Sequence, residues 1–329
     1  MLYFIFIALL HSLFLPTKSR DHLPNKQTED NPSKVIYKSI DGGNSWVEYG
    51  EGLPVDIAAS DLESFQGDLY LSSDKGIFHT SPQLTKPDWK KEYFFHESDT
   101  RFFKGRQGIY AVKYRQGLYQ KLYSTGIWLP LHLNLKDKSV RTVLEGQDHS
   151  MIVGTETGIY RSVDGGQSWT QILEKEIIHS MMQSRGSMLA FGDKGLYRSF
   201  DEGKSWDHVP YPGSLAGLWN GPGDRSYILV RKNFQKHEFI QTGKNFQLFE
   251  STDGGIIWNK SNFGPPDVKQ ILGITKSDAY LICHHEKGLS LSLDQGKSWK
   301  NMEVPKTMNQ NIRVLVIDQI IFIIPTFGC

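Results

Sequence analysis

From Lys34 onward the chain is a succession of short apolar runs, each closed by turn residues. The clearest unit lies between Val140 and Leu173. Val140-Arg141-Thr142-Val143-Leu144 reads as a strand and Gln147-Asp148-His149 as a turn. Met151-Ile152-Val153-Gly154 is a second strand, and Glu156-Thr157-Gly158 turns again. Ile159-Tyr160-Arg161-Ser162 is a third strand, and Ser168 to Leu173 a fourth. Short strands separated by turn signals at this spacing predict an antiparallel meander. Four such strands make one propeller blade.

The joint between the third and fourth strands is the eight-residue stretch Ser162-Val163-Asp164-Gly165-Gly166-Gln167-Ser168-Trp169. The pattern Ser-x-Asp-x-Gly, ending in Trp, recurs at Ser39–Trp46, Ser199–Trp206, Ser251–Trp258 and Ser292–Trp299. Such self-similarity at a fixed period identifies a repeat architecture. Asp and Ser side chains bond the backbone a few residues on and pin a tight turn. Gly supplies the positive φ that a side chain would strain. The Trp contributes a large apolar face and an N–H that needs a partner. The expected role of Asp41, Trp46, Asp164, Trp169, Asp201, Trp206, Asp253, Trp258, Asp294 and Trp299 is therefore structural. A calcium loop would need further carboxylates, which the stretch lacks.

The turn between strands two and three recurs as Asp74-Lys75-Gly76, Asp193-Lys194-Gly195 and Glu286-Lys287-Gly288. Four residues after each of those glycines comes the hydroxyl of the eight-residue pattern. This register exposes two altered copies. One follows Thr80, where Pro82 has replaced the Asp and Trp89 remains; the other follows Lys121, where Tyr123 stands for the Asp and Trp128 remains. Seven tryptophans then mark seven units, and the long interval from Trp206 to Trp258 reads as an insertion around Asn220–Asp224 and Gln235–His237. Trp219 falls outside the register and reads as packing. The N-terminal unit has only strands three and four, Val35–Lys38 and Trp46–Tyr49; the C-terminal tail has only strands one and two, Ile312–Val316 and Ile320–Ile324. Paired, they complete one blade and hide the edges that an open sheet would expose. The expectation is an all-β, seven-bladed β-propeller of four-stranded antiparallel blades over residues 34–329.

Composition narrows the partners. Lys+Arg is 37 against Asp+Glu 36, a formal charge of +1, which leaves no electrostatic footprint for nucleic acid. Cys283 and Cys329 are the two cysteines, with neither metal-type spacing nor a disulfide framework. Met1 to Leu15 is almost wholly apolar and has the length of a signal-peptide core rather than of a membrane span. Residues 1–19 are read as a secretory signal, with an uncleaved N-terminal anchor as the alternative, and residues 20–33 as a polar linker. The expected location is extracytoplasmic, secreted or periplasmic, and the expected state a monomer with no membrane span beyond that segment.

The five intact turns and the blade rhythm resemble the Asp-box (BNR) repeat family of β-propellers. That family includes sialidases, xyloglucanase-type glycoside hydrolases, sortilin-type receptor propellers and a photosystem II assembly factor. The resemblance implies boxes on the face away from the usual ligand site, and it does not choose among functions. The sialidase Arg-Ile-Pro segment is missing here. Xyloglucanase-type enzymes set two carboxylates across a cleft, usually between two propellers. No Gly-x-Ser-x-Gly, His-Glu-x-x-His or phosphate-loop spacing occurs. Cys283, His284 and His285 are adjacent on a strand and point to alternate faces, so they do not form a metal site. The reading is a non-catalytic binding or assembly module for a protein or glycan, without cofactor or metal; the alternative is a glycoside hydrolase with a diverged site. Counting back six residues from each first turn lands on Arg101, Arg141, His179 and Arg313, in the third, fourth, fifth and closing blades. At one mouth of a channel these cations would attract a carboxylate, a sulfate or an acidic loop; the alternative is that each pairs with a neighbouring blade's acid, such as Asp56, Asp99, Glu176 or Asp267, and staples the ring.

Overall fold

The computed structural model describes residues 35–93, 100–137, 139–211, 213–231, 246–308 and 312–325. The signal-like run, the linker, Asp99, the hairpin near Gln235–His237 and Cys329 lie outside them. Seven four-stranded antiparallel sheets are present, and the seven first strands contact one another in sequence around a closed ring. The protein is an all-β seven-bladed propeller. Among the described residues no helix is long and apolar enough to cross a membrane.

Blade 1 is built from both ends of the described chain. Its strands, from rim to centre, are Val47–Glu48, Tyr37–Ser39, Ile320–Pro325 and Ile312–Ile317. Tyr37 pairs with Ile323 and Ser39 with Ile321 in antiparallel register. The two half-units thus meet as expected, and closure gives Tyr37–Ser39 and Ile320–Pro325 partners on both sides. Blades 2 to 7 each take four consecutive strands. Blade 4, for example, runs Thr142–Glu145, Met151–Gly154, Gly158–Ser162 and Thr170–Glu174 from centre to rim.

The core is divided into seven wedges, each shared by two neighbouring blades. Between blades 3 and 4, Tyr110, Val112 and Leu118 meet Val140, Val143, Met151 and Val153, and Trp169 packs against them. Trp89 does the same between blades 1 and 2, and Trp206 between blades 4 and 5. The repeat tryptophans sit just before or at the head of the outermost strands and lean on the preceding blade. Trp169 Nε1 donates to Leu131 O at 3.1 Å, and Trp89 Nε1 to Tyr49 O at 3.0 Å. Trp219 joins the wedge between blades 6 and 7, in agreement with its reading as packing.

The eight-residue turn closes on itself. Ser162 Oγ accepts from Gly166 N at 2.9 Å and donates to Asp164 Oδ1 at 2.8 Å. Asp164 then accepts from Ser168 N at 2.9 Å and from the Ser168 hydroxyl. The same net forms at Asp41, Asp201 and Asp294, and at Asp253 with the backbone N–H groups of Ile256 and Ile257. Gly166 has φ +82°, and a Cβ there would crowd Met151 and Leu131. The serine is the buried member at 3% exposure, whereas Asp164 faces solvent. The hydrogen bonds from Ser168 hold the Asp164 carboxyl down to about 2.

Candidate functional site

Third strands run parallel to first strands, so the eight-residue turns share one face with the ends of the first strands. The starts of the first strands share the opposite face with the turns between strands two and three. On that second face the acid two residues before the turn glycine holds the head of its own blade's first strand. Asp74 Oδ1 accepts from Ala58 N at 2.8 Å in blade 2. Glu286 accepts from Lys269 N at 2.7 Å and Gln270 N at 2.9 Å in blade 7. In blade 4 Glu156 Oε1 pairs with Arg141 at 2.9 Å, and in blade 5 Asp193 Oδ1 pairs with His179 Nε2 at 2.5 Å.

Blade 3 reverses this charge. Two residues before Gly117 stands Arg115, with φ 58°, preceded by Tyr114. Arg101, the first residue of Arg101–Lys104, is exposed and forms no ion pair among the described residues. Arg115 reaches across to blade 4, where its Nη2 lies 3.4 Å from Glu156 Oε2. The Tyr114 hydroxyl donates to the other oxygen of Glu156. Both guanidiniums lie against the Tyr114 ring, Arg115 at 5.0 Å and Arg141 at 5.3 Å from its centroid. The Tyr114 hydroxyl and then the Arg141 guanidinium hold the Glu156 carboxyl down to about 2. Blades 3 and 4 therefore present Arg101, Arg115 and Arg141 on one face, with one carboxylate among them.

The four expected cations occupy the heads of first strands, and three of them pair with three different acids. Arg141 and His179 each bind the turn acid of their own blade. Arg313 in Ile312–Ile317 donates from Nε to Asp61 Oδ1 at 2.8 Å. Asp61 is buried in Ala59–Phe65 of blade 2, and its Oδ2 accepts from Phe102 N of blade 3 at 2.8 Å. It therefore ties three successive blades together at the centre of the ring. Nearby Glu63 has its carboxyl pushed up by burial. The expected acid partners Asp56, Glu176 and Asp267 are not those used. Register explains part of the divergence: the first strand of blade 5 bulges between Ile178 and Ser180, so His179 is the extra residue and leaves the position that Arg141 holds. Counting from the turns overlooks bulges. It also passed over Tyr114 and Arg115, which aligning Asp74, Arg115, Glu156, Asp193 and Glu286 on their turn glycines would have singled out.

Several solved structures share this fold. YCF48 bound to D1 peptide superposes with a TM-score of 0.56 over 91% of this chain and 100% of that one, at 15% identity. Virginiamycin B lyase from Staphylococcus aureus, in a catalytically inactive form with quinupristin, gives 0.57 over 84% and 97%, at 11% identity. An ancestral GH74 enzyme gives 0.54 over 85% of this chain at 11% identity, and this chain spans only 43% of that one. At these identities the likeness establishes the propeller fold. No protein-family model matches the sequence, and no curated protein matches it.

Proposed function

We propose that this chain is a non-catalytic binding module of the Asp-box type, exported from the cytoplasm, which takes a carboxylate-bearing partner across blades 3 and 4. The observation that carries the reading is the charge reversal in blade 3. Arg115 replaces the turn acid that engages the first strand in four other blades, so Arg101 is left exposed and two further guanidiniums flank Glu156. Guanidinium groups suit bidentate contacts to a carboxylate, and Tyr114 adds a flat face beside them. His179 and Arg313 lie in other blades, each paired with a carboxylate there, and are left out of this reading. YCF48, which shares the fold, is described with a peptide bound, so an acidic peptide is the first partner to test and an anionic glycan the second.

The test is titration calorimetry of the full chain with a short peptide ending in two acidic residues. Arg101→Ala with Arg115→Ala should weaken binding by about tenfold or more while the melting temperature stays put. The alternative, a glycoside hydrolase, would displace this reading if the protein turned over members of a glycan panel and one carboxylate substitution abolished that turnover.

A further inference from the structure

The face opposite that cluster carries a second pattern. Fourteen large apolar side chains are exposed among the described residues, and eight of them lie in the turns between strands three and four. The intact turns supply Ile40, Val163, Phe200 and Leu293, each between the hydroxyl residue and the Asp, and blade 6 supplies Ile256 and Ile257. The two altered turns supply Leu84 and Ile127. Every blade therefore contributes. Single exposed apolar residues need no explanation. One from each of seven turns, on the same face of a ring, is an apolar circuit of the kind that marks an interaction surface.

The charge of those turns indicates what covers the circuit. The five turn aspartates are joined by Asp88 and Glu202, against three lysines at 86, 204 and 297. Arg198 reaches Gly255 O and the Phe200 ring, Lys300 reaches Asn44, and Arg161 reaches Glu202 O while pairing with Asp148; with these included the turns remain net acidic, on a chain whose formal charge is +1. The turn hydrogen bonds keep Asp41, Asp164 and Asp294 ionised, with their carboxyls at about 2. Acidic membrane lipids would be repelled by such a face, as would a second copy of it, whereas a basic surface would be attracted.

We infer that the face formed by these turns is a docking surface for a protein partner that presents apolar side chains among lysines or arginines. It lies opposite the Arg101–Arg115–Arg141 cluster and stands independently of that assignment. The probe is a labelled synthetic amphipathic peptide of leucine and lysine, titrated into the full chain by fluorescence anisotropy. The control is the same peptide with glutamate in place of lysine. Binding of the lysine peptide, weakening as salt rises, is expected. The combined change Val163→Ser, Phe200→Ser, Leu293→Ser should cost about tenfold or more in affinity at an unchanged melting temperature. Lys297→Glu should tighten binding severalfold. Equal binding of both peptides, or wild-type affinity in the triple variant, would overturn the inference. So would association with equimolar phosphatidylcholine/phosphatidylglycerol vesicles without peptide binding, or self-association lost in the triple variant.

Discussion

Blade 4 and blade 3 solve the same joint in two ways. In blade 4 Ser162, Asp164 and Ser168 bond the turn from within, while Trp169 Nε1 and the Gln167 carbonyl reach out to Leu131 and Asn134. Blade 3 has lost that net, and its turn is held from the preceding blade instead. Lys121 replaces the serine, is buried, and donates to the Tyr70 hydroxyl at 3.0 Å and to Glu92, both in blade 2. Tyr123 stacks on Phe65 at 4.8 Å, and Gln66 Nε2 donates to Tyr123 O at 2.6 Å. The altered turn of blade 2 follows the same rule. Lys38 Nζ from blade 1 donates to Pro82 O at 2.7 Å and Leu84 O at 2.8 Å, and the Tyr49 hydroxyl to Ser81 O at 2.8 Å. Where the local net decays, neighbouring blades supply the missing partners. A self-contained turn can be exchanged between blades, whereas a cross-braced one belongs to a single place in the ring.

The sharpest way to break this contrast is at Lys121. Lys121→Ala would leave Glu92, 14% exposed, with only His79 at 3.9 Å as an ion-pair partner among the described residues, and should cost about 3–5 kcal/mol in denaturant unfolding. A cost below about 1 kcal/mol would show that blade 3 does not rely on its neighbour. Trp169→Ala opens the wedge between blades 3 and 4 and should cost about 3 kcal/mol by the same measurement. Ser162→Ala removes the buried acceptor of Gly166 N and should cost about 1–2 kcal/mol. Asp164→Ala should cost less than Ser162→Ala, because water replaces an exposed carboxylate more readily than a buried hydroxyl; the reverse order in thermal melts would assign the turn to its acid. The smallest effect is on pH dependence. The carboxyls of Asp41, Asp164 and Asp294 are lowered to about 2 in the folded chain, from about 3.9 when unfolded. Their contribution is thus complete above pH 4 and fades as pH falls from 4 towards 2. The melting temperature should follow that window, and Asp164→Asn should make it shallower.

The fold was legible because the repeat is written in local chemistry. A Ser, an Asp, a Gly and a Trp at fixed spacing dictate the turn, and five such turns with two altered copies that keep the Trp count the blades. The half-units at Val35 and Ile312 fixed closure by the same reasoning. Cross-blade partners were not legible, since nothing in the sequence links Arg313 to Asp61 or Lys121 to Glu92 before the blades are set side by side. The bulge at His179 was not legible either, since a single inserted residue does not show in a count of positions. Arg115 was within reach of the sequence, as a residue of the wrong sign in an otherwise acidic column.

The pairing of Tyr37 with Ile323 has a consequence in time as well as in space. Two strands near the start of the ring wait for partners that are made almost three hundred residues later. Blades 2 to 7 can each form from a contiguous stretch, a local and fast event, but blade 1 carries one of the longest loop closures available to the chain. Until it forms, Tyr37–Ser39 lacks its inner partner and blades 2 and 7 lack the neighbour they pack against, and the nascent chain is at its most prone to mispairing. The last step of folding is therefore the one that pairs Tyr37–Ser39 on both sides and closes the ring. A newly made chain should pass from vulnerable to protease-resistant abruptly, when Ile320–Pro325 becomes available.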